Sequence, residues 1–189
     1  RIRDKGKAGF YEGKTAELIV KEIKRGKGII SLKDLKTYKP IWRKPVSGNY
    51  KEYKITSMSP PSSGGIALLQ LLKGIEKYPI KKWGHLQTKT VHLMTELERR
   101  VYADRATFLG DPDYYDVPVE KLLDDKYLKN RMKGISLSKK TSSQEVKAGK
   151  VDIIESVETT HYSIVDKDGN AVSITTTLNG NYGSKVMVE

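Results

Sequence analysis

The sequence predicts a mixed α and β fold, and three stretches carry that prediction. Through Thr88–Leu109 apolar residues recur at helical spacing, with Leu93, Met94, Leu97, Val101 and Phe108 among them. Val46–Tyr53 and Lys54–Met58 alternate as two short strands around a turn. Near the C-terminus, residues 158–172 read as a strand, a tight turn and a second strand, with a crowd of hydroxyls at the open end.

The other elements follow in order. Gly9-Phe10-Tyr11-Glu12-Gly13 leads into Lys14–Lys24, where Ala16, Leu18, Ile19, Val20 and Ile23 make an amphipathic stripe in a helix that Gly26 and Gly28 terminate. Ser31 with Asp34 three residues on forms a capping box for a short helix. The stiff, then permissive, loop Ser59-Pro60-Pro61-Ser62-Ser63-Gly64-Gly65 opens a strongly apolar helix, Ile66–Ile75. Gly110-Asp111-Pro112-Asp113 stops the long helix, and Leu122–Met132 reads as one shorter helical piece. Leu137–Lys150, rich in Ser, Thr and Lys, reads as an exposed, mobile connector.

The final hairpin permits a sharper inference. Its bulky apolar positions, Tyr162, Ile164, Val172 and Ile174, all carry even numbers. Side chains alternate with period two, so partners that share a face must have an even sum. A five-residue loop, Asp166–Asn170, centred on Asp168, sets that sum at 336. Val165 then faces Ala171, Ser163 faces Ser173, His161 faces Thr175, and Thr159 faces Thr177.

Bulk properties bound the function. A chain of 189 residues fits one domain, or one large piece of one. Its polar, helix-like opening at Arg1 suggests a segment of something longer. The longest apolar runs, such as Ile66-Ala67-Leu68-Leu69, are far too short to span a membrane. With no cysteine there is no thiol nucleophile and no disulfide, and His85, His92 and His161 lack metal-ligand spacing. The excess of 35 Lys and Arg over 23 Asp and Glu is spread along the chain without interleaved aromatics, a solvated basic surface rather than a nucleic-acid site.

One chemistry stands out. A threonine is a poor nucleophile in mid-chain, but at a chain terminus its own α-amine, with an ordinary pKa of about 7.7–8.0, can take the hydroxyl proton. Cutting between Glu158 and Thr159 creates that arrangement. Threonine is also common in strands. The residues alone therefore leave Thr159 and Thr177 open as plain strand formers, and Asn179 as part of a turn. The Pro60–Gly65 loop reads as a stiff helix entry rather than an anion site. Asp104 and Arg105 read as a structural ion pair, and His92 as a core or edge histidine.

Together these segments resemble the γ-glutamyltransferases (γ-glutamyl transpeptidases) of the N-terminal-nucleophile hydrolase superfamily. The matching stretches are Gly9–Gly13, Ser57–Ile66, Tyr102–Arg105 with Leu109–Asp113, and Thr159–Ser163 with Asp168–Val172, in the family's order. The resemblance implies a four-layer αββα sandwich, only partly represented in this chain, needing no metal or organic cofactor. It implies self-cleavage between Glu158 and Thr159. Residues 1–158 would be the C-terminal part of the large subunit and residues 159–189 the start of the small catalytic one, held as a heterodimer. Thr159 would take the γ-glutamyl group from glutathione or a related amide and pass it to water, an amino acid or a peptide. Thr177 would hydrogen-bond the nucleophile, and Asn179 would contact the glutamyl moiety. The family's upstream arginine clamp and downstream oxyanion elements have no counterpart here, so this segment alone is expected to be inactive. A periplasmic or secreted location is implied as well. The near rivals are a cephalosporin or glutaryl acylase and a poly-γ-glutamate depolymerase; a non-catalytic basic binding module is the rival of a different class.

Overall fold

A computed structural model describes residues 1–147, 160–176 and 183–188. The chain divides into two compact units: Trp42–Ile153, and Arg1–Ile41 with Ile154–Glu189.

In the first of these, β1 (Val46–Tyr50) and β2 (Tyr53–Ser57) form an antiparallel hairpin that pairs Val46 with Ser57 and Tyr50 with Tyr53. The turn falls inside the first expected strand rather than after Tyr53. It consists of Lys51 and Glu52, with Lys51 at φ 52°, a conformation held by its N–H donating to Glu76 Oε1 at 2.6 Å. Against this hairpin lies α5 (Gly64–Ile75), which also packs on α7 (Thr88–Phe108). Two apolar clusters result. Ile75, Leu93, Leu97, Val101 and Met132 make one, and Val46, Ile66, Leu69 and Leu122 the other.

Two glycines let α5 approach its neighbours. A Cβ on Gly65 would lie 2.0 Å from the Met58 carbonyl oxygen, so only glycine fits there. A Cβ on Gly74 would lie 2.6 Å from Leu97 Cδ2, in the middle of the α5–α7 contact. Within the apolar layer Gln70 is buried, and its Nε2 donates to the Leu122 carbonyl at 2.8 Å.

The single helix expected over Leu122–Met132 is two: α8 (Val119–Leu122) and α9 (Asp125–Arg131). Asp124 divides them, because its carboxylate accepts from the Tyr127 N–H at 2.8 Å as an N-cap. A short α6 (Ile80–Trp83) precedes α7 and was not foreseen. No helix among the described residues is long and apolar enough to cross a membrane.

In the other unit, α1 (Ile2–Lys5) and α2 (Ala8–Tyr11) lead into α3 (Gly13–Arg25), which buries Ala16 and Val20 as its stripe requires. The capping box at Ser31 forms and starts α4 (Leu32–Thr37). Tyr11 stacks on Tyr38 at 5.3 Å between ring centroids, and Lys7 Nζ donates to the Tyr38 carbonyl at 2.6 Å. An aromatic stack and a lysine hydrogen bond thus close α2 over the end of α4. The last two elements among the described residues are β3 (Thr160–Val165) and β4 (Ala171–Thr176), a two-stranded antiparallel sheet.

Candidate functional site

The β3–β4 hairpin adopts the register that parity demands. His161 pairs with Thr175, Tyr162 with Ile174, Ser163 with Ser173, Ile164 with Val172 and Val165 with Ala171. The loop is Asp166–Asn170, five residues as expected. What organises it is Asp166, which the sequence reading passed over. Its carboxylate accepts from the N–H groups of Asp168 and Asn170, each at 2.9 Å, and from Asn170 Nδ2 at 2.8 Å. The Asn170 side chain and these amides hold the Asp166 carboxyl below the usual range. Gly169, at φ 82°, supplies the left-handed residue that returns the chain. The signal was the Asp at the loop's first position, able to accept from the amides two and four residues on.

At the open end the described pairing finishes with Thr160 opposite Thr176. Glu158, Thr159, Thr177 and Asn179, the residues singled out for chemistry, lie outside the described residues.

Other singled-out features are placed clearly. In the Pro60–Gly65 loop, Ser62 Oγ accepts from the Gly64 N–H at 3.3 Å and Ser63 Oγ accepts from Arg105 Nε at 2.7 Å. With Gly65 pressed against Met58, the loop is the stiff helix entry that its composition suggested. Asp104 and Arg105 do not pair. They are neighbours on α7 and point apart: Asp104 binds Arg131 Nε at 2.7 Å and the Tyr127 hydroxyl at 2.8 Å. That hydroxyl is pushed well above the ordinary tyrosine range by burial, its bond to Asp104 and the carboxylate's charge. The expected ion pair therefore exists, with its cation on α9. His92 is an edge histidine whose Nε2 lies 2.8 Å from the Ser136 carbonyl oxygen.

The clearest correction concerns Leu137–Lys150. Its described part, up to Lys147, is not a loose connector but a strap fastened to α7. Glu96 and Arg100 are buried on α7, at 1% and 5% exposure, and form an ion pair at 2.7 Å. Thr141 completes the pair: its N–H donates to Glu96 Oε1 at 3.1 Å and its hydroxyl donates to Glu96 Oε2 at 2.5 Å. Burial alone would raise the Glu96 carboxyl; the bonds from Thr141 and Arg100 outweigh it and hold it at about 2. Hydrophobic periodicity is blind to such charged side chains facing inward. Among the described residues no cluster of three His, Cys, Asp or Glu is arranged to hold a metal.

Fold and motifs together define a scaffold of the N-terminal-nucleophile hydrolase class. The chain belongs to the gamma-glutamyltranspeptidase family, whose model matches residues 1–189. It is 42% identical to the glutathione hydrolase proenzyme of Escherichia coli over 98% of this chain and 32% of that protein. Among solved structures it is similar to the gamma-glutamyltranspeptidase of Helicobacter pylori, with TM-score 0.71 and 44% identity over 78% of this chain and 42% of that one. A cephalosporin acylase from Bacillus halodurans is also similar, with TM-score 0.62 and 26% identity over 71% of this chain and 25% of that one. The chain spans about a third of the length of the curated relatives it matches.

Proposed function

We propose that the protein to which this chain belongs is a γ-glutamyl acyltransferase and hydrolase that matures by cutting itself before Thr159. The observation that carries this reading is the hairpin register. The described pairs, from Val165–Ala171 to Thr160–Thr176, obey the sum of 336 on which the sequence-based pairing of Thr159 with Thr177 rests. In that register a hydroxyl would stand across from the nucleophile.

In the self-cut, Thr159 Oγ1 attacks the Glu158 carbonyl carbon. The peptide C–N bond breaks, the Thr159 nitrogen gains a proton, and the ester that results is opened by water. The freed α-amine, with an ordinary pKa of about 7.7–8.0, is then the general base. It takes the hydroxyl proton as Oγ1 attacks a γ-glutamyl amide, and returns it to the departing amine. Water or an acceptor amine of an amino acid or peptide releases the acyl group. Thr177 hydrogen-bonds the nucleophile and Asn179 contacts the glutamyl moiety. Residues 1–158 and 159–189 belong to the large and small subunits of the resulting heterodimer. Glutathione is the substrate that the name of the Escherichia coli relative supports. An exported location, periplasmic or secreted, completes the proposal on family resemblance, and fractionation of the source cells tests it.

A second reading, acylase activity on a cephalosporin side chain, is favoured by the structural likeness to the Bacillus halodurans enzyme. Turnover of γ-glutamyl anilide against a glutaryl amide separates the two. The decisive experiment is intact mass and N-terminal sequencing of the full-length protein beside its Thr159→Ala variant. Two fragments with Thr159 at a new N-terminus, and a single uncut chain in the variant, are expected. An uncut, folded wild type overturns the reading.

A further inference from the structure

Basic residues are dispersed over most of the chain, but one run breaks the pattern. From Lys77 to Thr95 the sequence holds four lysines and no acidic residue. In the structure this run is α6, the turn after it and the start of α7, all within the Trp42–Ile153 unit. Lys77, Lys81, Lys82 and Lys89 are exposed. Among the described residues none of the four forms an ion pair. Glu76, the acid that precedes them, is engaged by the Lys51 N–H and by Lys73, 3.6 Å away. Lys89 lies in the first turn of α7, which holds no acid. A cation there opposes the helix dipole, so its charge does not serve the fold.

The platform that carries these charges is firmly built. Tyr78, Ile80 and Trp83 pack against the apolar cluster of Ile75, Leu93 and Leu97, and the rings of Tyr78 and Trp83 are 5.9 Å apart. The Thr90 hydroxyl donates to the Gly84 carbonyl at 2.9 Å and ties the turn to α7. Within that turn Leu86 is 73% exposed and sits at φ 56°. Left-handed backbone is strained for a leucine; glycine or asparagine is its usual occupant. An apolar side chain is thus shown to water in a costly conformation, between Lys82 and Lys89 in sequence. It takes no part in either apolar cluster.

We propose that residues 77–89 form a docking surface for an anionic phospholipid bilayer, with the four lysines meeting the headgroups and Leu86 entering the acyl boundary. Unmatched positive charge selects an anionic partner. The exposed leucine selects a bilayer over a nucleic acid, because Tyr78 and Trp83, the rings that could stack on bases, pack against the core. Each lysine near an anionic leaflet strengthens binding about fivefold, and an apolar side chain entering the interface adds to that. The contact is peripheral and needs no membrane-spanning segment. It is independent of the acyl transfer proposed above.

The test is co-sedimentation of the full-length protein with lipid vesicles, for wild type, the double variant Lys81→Gln/Lys82→Gln, Leu86→Asn, and the double variant Lys33→Gln/Lys36→Gln on α4. Wild type is expected to sediment with vesicles of phosphatidylglycerol and phosphatidylcholine, to stay in solution with phosphatidylcholine alone, and to be released as salt rises. Loss of Lys81 and Lys82 is expected to weaken binding roughly tenfold or more. Leu86→Asn suits the left-handed backbone and so keeps the fold; it is expected to weaken binding about threefold or more. Lys33 and Lys36 are also exposed but lie outside the run, and their loss is expected to leave binding within about twofold of wild type. Wild type that fails to sediment with the anionic vesicles overturns the proposal. So does equal weakening by the α4 variant, which would make the effect one of net charge, or undiminished binding by Leu86→Asn. Retention of duplex DNA without vesicle binding assigns the surface to a nucleic acid instead and overturns it as well.

Discussion

The α5–α7 pairing and the β3–β4 hairpin solve opposite problems. In the helical pair, Ile66, Leu69, Leu93 and Leu97 are at most 3% exposed, and the inward charges of Glu96 and Arg100 are paired. In the hairpin, Ile164, Val165 and Val172 are all more than half exposed among the described residues. Apolar burial stabilises the first; backbone pairing and the Asp166 loop define the second. A lone two-stranded sheet gains little from burial. The hairpin's contribution here is geometric: it aligns residues. One region sustains the fold by burial; the other is where the proposed chemistry would be aligned.

The comparison can be broken from the core side first. Leu97→Ala removes a fully buried side chain between α5 and α7 and is expected to destabilise the protein by about 2–5 kcal/mol, measured as a fall in the urea midpoint. A cost below about 1 kcal/mol would mean that this contact is not the central one.

The second test concerns the charged part of the core. The Glu96 carboxyl is lowered from 4.5 to about 2 on folding, because the bonds from Thr141 and Arg100 outweigh the opposing effect of burial. Its stabilisation is thus complete above the unfolded value and lost as pH falls through the folded one. The difference corresponds to roughly 3 kcal/mol. Between pH 5 and pH 2, wild type is expected to lose stability that Glu96→Gln never had, so their urea midpoints converge at the acid end. Parallel pH profiles would show that the strap does not depend on the charge.

The smallest effect belongs to the hairpin. Asp166→Ala removes the acceptor for three loop donors. The amides of Asp168 and Asn170 are expected to exchange faster with solvent by NMR, while the urea midpoint stays at the wild-type value. A large drop in midpoint would erase the contrast between the two regions.

What could be read from the sequence follows the same division. The hairpin register was legible because four bulky residues share one parity, and parity survives any error in strand ends. The long helix and the stripe of α3 were legible from spacing. The interruption at Asp124 was not, since apolar residues continue on both sides and the cap is a single side chain. The strap was misread because its Ser, Thr and Lys content resembles solvated chain; its partners, Glu96 and Arg100, lie about forty residues away in sequence. The residues proposed for catalysis were visible as hydroxyls at one end of a hairpin, but only the family resemblance distinguished Thr159 from an ordinary strand threonine.

The closeness of Gly74 to Leu97 has a consequence for how this sequence can drift. The two positions share one fixed volume, and neither can enlarge alone: a methyl added at 74 lands on a leucine that is wholly enclosed. A methyl gained on one helix must be surrendered by the other. Relatives with alanine at the position of Gly74 should therefore carry valine or alanine at that of Leu97, and the order of the two changes matters. Shrinking the leucine first leaves a void that the protein can survive; enlarging the glycine first forces the helices apart.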